Sequence, residues 1–425
     1  MAFDSPFFVN AAEVLTRYAK TRSNSERLAD PLSAEDWMLQ SMPDASPIKW
    51  NLAHTSWFFE TFILRPYLEG YSPFHPRFGY LFNSYYNQIG KMHPRPDRGL
   101  LSRPSADEIR AYRQYVDKSM ITLVEQASDG VAAKIAPLIA TGLAHEEQHQ
   151  ELLLTDIKHG LFQNPLAPAA YDPRPDDGPA AIADMQWVEM EGGLCEIGFA
   201  GDGFAFDNEG PRHKVYLHPF QLANRPVTNG EFQEFIDDGG YREPSYWFSD
   251  AWDLVQSEGW SAPLYWREGA GDRMRFTLFG DRAIDPHTPV CHLSYYEAAA
   301  YAAWCGARLP TEFEWEAAAS LFELRGNVLQ DGVFVGEKRA SGDDRLLQLF
   351  GDVWEWTASP YVAYPGYAPP AGAIGEYNGK FMSGQMVLRG GSCATPAGHL
   401  RLSYRNFFPP QARWQFSGLR LARDC

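Results

Sequence analysis

His145 and His149 stand four residues apart in ATGLAHEEQHQELLLTDIKH. The apolar periodicity of that stretch predicts a helix, which stacks the two side chains one turn apart on a single face. Two imidazoles at this spacing can hold one metal ion without bending the backbone. Leu152 and Asp156 continue the face, whereas Glu151 points well away from it. The best third donor is His54, in SPIKWNLAHTSWFFETFILRP. At helical spacing it shares a stripe with Trp50 and Phe58, with Trp57 at the edge, so it looks inward from a strongly apolar face. Three neutral nitrogen donors leave positions open on a metal that can take six ligands, as binding substrate and oxygen together requires. A closed structural site would use a fourth protein ligand. The competing reading is a set of hydrogen-bonded core histidines, and the donor set alone leaves iron, zinc and manganese open. Among the other histidines, His75 and His93 fall in a loop, and His159 sits near a helix end where the helix dipole accounts for it.

The elements that must carry these residues are helices separated by short breaks. Periodicity predicts segments near 9–28 and 33–40. Ser46-Pro47 opens a further helix as a cap followed by a proline at the first helical position, and Pro66 closes it. Residues 71–104 are dominated by Pro, Gly, Tyr and Arg, a loop excursion long enough to suggest function. Helical patterning resumes at PSADEIRAYRQYVDKSMITLVEQ and again through the His145 segment. Four substantial helices with one long crossover fit an antiparallel bundle over 1–165. The segment 166–184, rich in Pro, Ala and Asp, is expected to be a linker. Beyond it, 185–425 carries short strand patterns, many glycines and tryptophans and only brief helices, which predicts an irregular α+β domain with long loops.

Composition narrows the function classes. A formal net charge of -17 opposes nonspecific binding to nucleic acid or to an anionic membrane, so neither is an expected partner. No window reaches the roughly 20 apolar residues that span a bilayer. The five cysteines, at 195, 291, 305, 393 and 425, form no CxxC pair and no disulfide framework. With no secretory leader pattern at the start, a reducing, cytoplasmic location is expected.

The sequence as a whole resembles the iron-dependent sulfoxide synthases of ergothioneine biosynthesis. The motifs that carry the likeness are SPIKWNLAHTSWFFETF at 46–62 and HEEQHQELLLTDIKH at 145–159, joined in the second half by FDNEGPRHKV, RPVTNGEF, ARLPTEFEWEAAA, GDVWEWTASPY, LRGGSCAT and RLSYRNFFPPQARWQFSGLRLARD. The resemblance implies a DinB-like four-helix bundle joined to a domain of the formylglycine-generating-enzyme type, a variant of the C-type lectin fold, with a site in a cleft formed by loops of both. It implies non-haem Fe(II) as cofactor, O2 as co-substrate, and coupling of a thiol to the imidazole C2 of Nα-trimethylhistidine (hercynine) to give a sulfoxide. Formylglycine formation is not implied, because Cys393 has no second cysteine after it in YRNFFPP.

Carried over residue by residue, the likeness assigns iron ligation to His54, His145 and His149 and contact with trimethylhistidine to Gln148, at the edge of the metal-facing stripe. Arg95 and Arg98, in HPRPDRG, match a loop that grips a substrate carboxylate, a task suited to bidentate guanidinium pairing. A tyrosine near the iron is expected to donate a proton that keeps oxidation on the coupling route rather than toward a thiol sulfinate. Tyr85 and Tyr86 are the preferred pair, while the relatives that use gamma-glutamylcysteine take this tyrosine from the second domain, where Tyr364 and Tyr367 are candidates. Those relatives carry an Asn-Trp-Asp type sequence in a late loop. Here it reads Asn406-Phe407-Phe408, which lacks the carboxylate and offers apolar and cation–π contact, so free L-cysteine is the expected thiol. The alternatives are gamma-glutamylcysteine in the same reaction, a 5-histidylcysteine sulfoxide synthase acting on unmethylated histidine, and a lectin-like module that binds carbohydrate without iron.

Overall fold

The computed structural model describes residues 10–172, 184–269, 273–329, 334, 336 and 345–425. Two compact units emerge. The first comprises Met1–Pro165 together with Ala200–Phe206 and Pro369–Tyr377, and the second comprises the remainder. The expected linker, 166–184, lies for the most part outside the described residues. At its start, Ala170 N–H donates to the carbonyl of Leu278 at 2.8 Å within the second unit.

The first unit is built on four helices: α1 (Ala11–Ala29), α2 (Ile48–Phe59), α3 (Ala106–Gln126) and α4 (Asp129–Phe162). Caps set their starts. The Asn10 side chain accepts from Glu13 N–H, and Ser105 forms a reciprocal capping box with Glu108. All twelve residues of α2 are buried, Lys49, Asn51, His54, Thr55 and Ser56 among them, so its polar side chains must find partners inside the unit. Gly142 of α4 allows the close crossing with α2, since a Cβ there would lie 2.6 Å from Cε1 of Phe59.

Two helix expectations change in detail. The segment near 33–40 forms only a short 3-10 turn, Asp36–Met38, held by Ser33 and Asp36 bonding each other's backbone and side chain. In α2, Pro47 is the cap residue rather than the first helical residue, and Ser46 N–H points instead to the carboxylate of Asp156. The helix passes Pro66 by a residue, through a π-helical turn at Glu60–Leu64 and a last turn at Arg65–Tyr67. Widening the ladder is one way to accommodate a proline that cannot donate.

A buried ionic knot ties the four helices together. Glu146 accepts from Arg22 at 2.8 Å, Ser25 at 2.7 Å and Arg113 at 3.0 Å, and Arg113 reaches on to the carbonyl of Leu52 and the hydroxyl of Thr55. The pairing fixes α1 and α3 against both histidine-bearing helices.

The second unit is the α+β domain expected. Its main sheet runs in the order Asn406–Phe408, Met386–Arg389, Trp354–Pro360, Ser417–Gly418, with only the last pair parallel. A three-stranded sheet joins Trp187–Met190, Phe220–Ala223 and Ala422–Asp424, so the end of the chain closes on the start of the domain. Much of what the second-half motifs encode is buried charge: Arg405 pairs with Glu312 at 2.8 Å, Arg420 with Glu355 at 2.7 Å, and Arg389 with Glu316. Paired burial of this kind specifies register, because a slipped strand would strand a charge in the core. Among the described residues, no helix is long and apolar enough to cross a membrane.

Candidate metal centre

α2 and α4 bring His54, His145 and His149 together as the sequence predicts. One ring nitrogen from each can be chosen so that all three lie within 4.8 Å of one another. The ring centroids stand at 4.8 Å (His54 to His145), 4.8 Å (His54 to His149) and 4.6 Å (His145 to His149), at steep mutual angles of 87°, 63° and 82°. His54 and His145 are buried and His149 is half-buried, so the cluster opens on the His149 side.

Neighbouring groups fix which nitrogens are bare. His54 Nδ1 lies 2.6 Å from the carbonyl oxygen of Phe82. A carbonyl only accepts, so Nδ1 carries the proton and Nε2 keeps its lone pair. His149 Nδ1 lies 2.8 Å from Asn51 Oδ1, with the same consequence. Among the described residues, His54 Nε2 and both nitrogens of His145 are buried without a hydrogen-bond partner. Buried polar atoms without partners are rare in a folded core and call for an explanation.

Burial pushes all three rings toward the neutral form. The His145 imidazole is driven down to about 3. His54 and His149 are lowered too, first by burial and then by neighbouring histidine and arginine charge. A neutral imidazole with an exposed lone pair is the form that binds a metal ion. His54 is further held between two indoles, stacked 4.6 Å from Trp50 and 5.4 Å from Trp57. These rings therefore fit a cation, and they fit it with three ligands rather than four: the only described cluster of metal-binding side chains contains no cysteine and no carboxylate.

The remaining predicted residues divide. Gln148 adjoins the cluster and accepts a hydrogen bond from the hydroxyl of Tyr377, whose ring lies 5.6 Å from that of His145. Arg98 is buried, with its guanidinium 3.3 Å from the centre of the Trp50 ring and one nitrogen bonded to Ser46 Oγ at 2.8 Å. Burial, and then Arg95, lower it to about 8, and no described carboxylate forms an ion pair with it. Arg95 is half-exposed and binds the Asp44 carbonyl. Tyr86 is fully buried against Trp57 and Phe62, while Tyr85 stacks on Tyr86 at 4.6 Å and stands 6.4 Å from Tyr377.

Tyr364 and Tyr367 belong to the second unit, where their hydroxyls donate to Glu312 and Asp207. Asn406, Phe407 and Phe408 form an edge strand of that unit, with Phe407 stacked 4.0 Å from Tyr361. The three competing histidines of the first half have local explanations: His75 bonds Arg77 N–H, His93 the Asp97 carbonyl, and His159 the Ser41 hydroxyl.

Tyr377 is the residue that sequence reasoning missed. It arrives from the second half of the chain within Pro369–Tyr377, and its neighbour Glu376 fastens that segment by accepting the N–H groups of Asn87 and Gln88 at 3.0 and 2.9 Å. The surrounding AGAIGEYNGKF has no helical or strand period to aim a side chain, so only the pairing of an acid with the 85–88 loop could have pointed to it.

Comparison with known proteins gives two family matches along the chain. Residues 17–153 match the DinB superfamily, and residues 176–344 and 334–425 match the sulfatase-modifying factor enzyme 1-like domain. The chain is 35% identical to the hercynine oxygenase of Mycobacterium tuberculosis over 437 residues, covering 96% of this chain and 97% of that one. It is 33% identical to the hercynine oxygenase of Mycolicibacterium thermoresistibile, covering 97% and 95%. With that of Mycolicibacterium smegmatis the identity is 34%, covering 91% and 92%.

Proposed function

Because the chain belongs to the hercynine oxygenase family, we propose that it catalyses the Fe(II)- and O2-dependent coupling of a thiol to C2 of the imidazole of Nα-trimethylhistidine, in ergothioneine biosynthesis. The reaction balances as thiol, ring C–H and O2 giving sulfoxide and one water: the S–H and C–H bonds are lost, C–S and S–O bonds form, and the second oxygen atom leaves as water. The observation that carries this reading is three imidazoles with ring nitrogens within 4.8 Å of one another, those of His54 and His145 buried without partners and Nε2 of His149 left bare by the bond of its Nδ1 to Asn51. Ferrous iron, when bound, supplies the electrons that let O2 react with closed-shell substrates.

The chain's own residues supply position, burial and a proton. His54, His145 and His149 hold the ion from one side and leave the other for substrates. The Gln148 amide, one residue before the last ligand, is placed to bind the substrate imidazole. Arg98, a buried cation whose Nε has no hydrogen-bond partner among the described residues, suits the carboxylate of an amino-acid substrate, and its stacking on Trp50 keeps the guanidinium plane fixed. The Tyr377 hydroxyl, its ring 5.6 Å from that of His145 and its O–H bonded to Gln148, is the residue assigned to donate the proton. Tyr85 and Tyr86 pack the wall behind it.

The thiol has two readings. Phe407 and Phe408 in place of a carboxylate favour free cysteine. The origin of Tyr377 in the second half of the chain is the feature expected of enzymes that use gamma-glutamylcysteine. The decisive experiment loads the protein with Fe(II) anaerobically, offers trimethylhistidine with either thiol, admits O2 and identifies products by mass. A coupled sulfoxide from cysteine is the expected result, and product from gamma-glutamylcysteine alone would reverse the thiol assignment. No coupled product from either thiol would overturn the proposed function.

A further inference from the structure

The three candidate ligands are not oriented in the same way. The backbone carbonyl of Phe82 fixes His54, which ordinary sequence variation cannot remove. His149 depends on side chains. Its Nδ1 meets Asn51 Oδ1 at 2.8 Å, and the Asn51 amide has two faces of opposite polarity. Turned the other way, the amide would present its NH2 group to the ring, and the imidazole would then keep its proton on Nε2, the nitrogen needed for the metal.

Three acceptors hold the NH2 group on the side away from His149: the carbonyls of Ser46 at 3.3 Å and Pro47 at 3.5 Å, and one charged side chain. Asp156, two turns further along α4, is buried, and its Oδ2 accepts from Asn51 Nδ2 at 3.3 Å and from Ser46 N–H at 3.0 Å. A flipped amide would set its oxygen against this carboxylate, so the acid holds the NH2 group on its own side and the oxygen on the side of His149. The Ser46 backbone holds the carboxylate in turn. We propose that Asp156 is a positioning residue for the metal centre, acting through Asn51 to keep His149 in the tautomer that leaves Nε2 bare.

The proposal rests on the three-histidine reading of the site, and its test separates the two. Outer partners of this kind change metal affinity by roughly 10–100-fold. Fe(II) affinity is measured anaerobically by chelator competition on the full chain, and the visible spectrum of the Co(II)-substituted protein reports ligand geometry. Asp156→Asn removes the one anionic acceptor that opposes the flip, leaving only the two backbone carbonyls, and Asn51→Val removes the acceptor for His149 while leaving the Asp156–Ser46 bond in place. Each is expected to weaken Fe(II) by about 10–100-fold and to alter the Co(II) spectrum. The double variant Asn51→Asp/Asp156→Asn reverses the polarity of the pair but again offers an acceptor to His149, and is expected to recover both readouts. If Asp156 merely anchored the start of α2, Asp156→Asn would lower stability without moving the affinity of the folded protein. Asn51→Val with wild-type affinity, or a folded double variant without recovery, overturns the relay. If His149→Ala itself binds iron as tightly as wild type, the ligand assignment fails and the relay falls with it.

Discussion

Replacing Glu146 by Gln keeps the shape of the side chain and removes the charge on which the helical unit is knotted. The carboxylate accepts three bonds in the core, from Arg22, Ser25 and Arg113, and the variant leaves two buried guanidiniums facing a neutral amide. Breaking a buried pair from one side costs about 3–5 kcal/mol. The titration of Glu146 gives a second route to the magnitude. Burial alone would raise its pKa, but Arg22 and then Arg113 reverse this and bring the carboxyl from its usual 4.5 to about 2. That difference corresponds to roughly 3 kcal/mol of preference for the charged, folded form, so the two routes agree. A carboxylate depressed in the folded state contributes stability that is full above its unfolded pKa and is lost as pH falls through the folded one. The wild-type advantage is therefore expected to be about 3 kcal/mol at neutral pH, to hold down to the usual carboxylate range, and to fall by about half near pH 3. Urea unfolding of both proteins, followed by the helical circular dichroism signal across that range, measures it. A neutral-pH difference below about 1 kcal/mol, the level of an exposed pair, or a difference that does not shrink in acid, would refute the reasoning.

Three further outcomes follow from the same geometry. Because burial holds the candidate ligands neutral, with His145 down to about 3, Fe(II) affinity should stay nearly flat from about pH 8 to about pH 5; a steep loss below 6.5, the behaviour of unperturbed imidazoles, would count against it. Tyr377→Phe should shift product from coupled sulfoxide toward thiol sulfinate with iron affinity unchanged, whereas Tyr86→Phe should leave the product ratio near wild type; mass analysis of both product pools decides. Gly142→Ala would place a methyl 2.6 Å from the Phe59 ring, so overpacking of about 1–3 kcal/mol should outweigh the roughly 1 kcal/mol gained in helix propensity. The variant should melt at lower temperature and hold iron less tightly, and a raised melting temperature would show that the two helices have slack.

The ligand cluster was legible because helices convert spacing into direction. Four-residue spacing aimed His145 and His149 together, the apolar stripe turned His54 inward, and the same wheel placed Asp156 on the metal-facing side of α4. The α+β character of the second half was legible from its short strand patterns and glycines. What escaped was held by contacts that have no period. Tyr377 is positioned by the grip of Glu376 on two backbone N–H groups far away in sequence, and Ala200–Phe206 and Pro369–Tyr377 join the helical unit from beyond the expected linker. Arg95 and Arg98 share one loop and one motif, yet one is exposed and the other buried over Trp50; burial in irregular backbone depends on tertiary packing that local sequence does not encode.

The central claim is tested most directly by diffraction at the iron absorption edge from anaerobically grown, Fe(II)-loaded crystals. The account predicts a single anomalous peak within bonding distance of one ring nitrogen of each of His54, His145 and His149, with Nε2 the bonding atom of His54 and His149. A peak elsewhere, or a fourth protein side chain completing the coordination sphere, would contradict it.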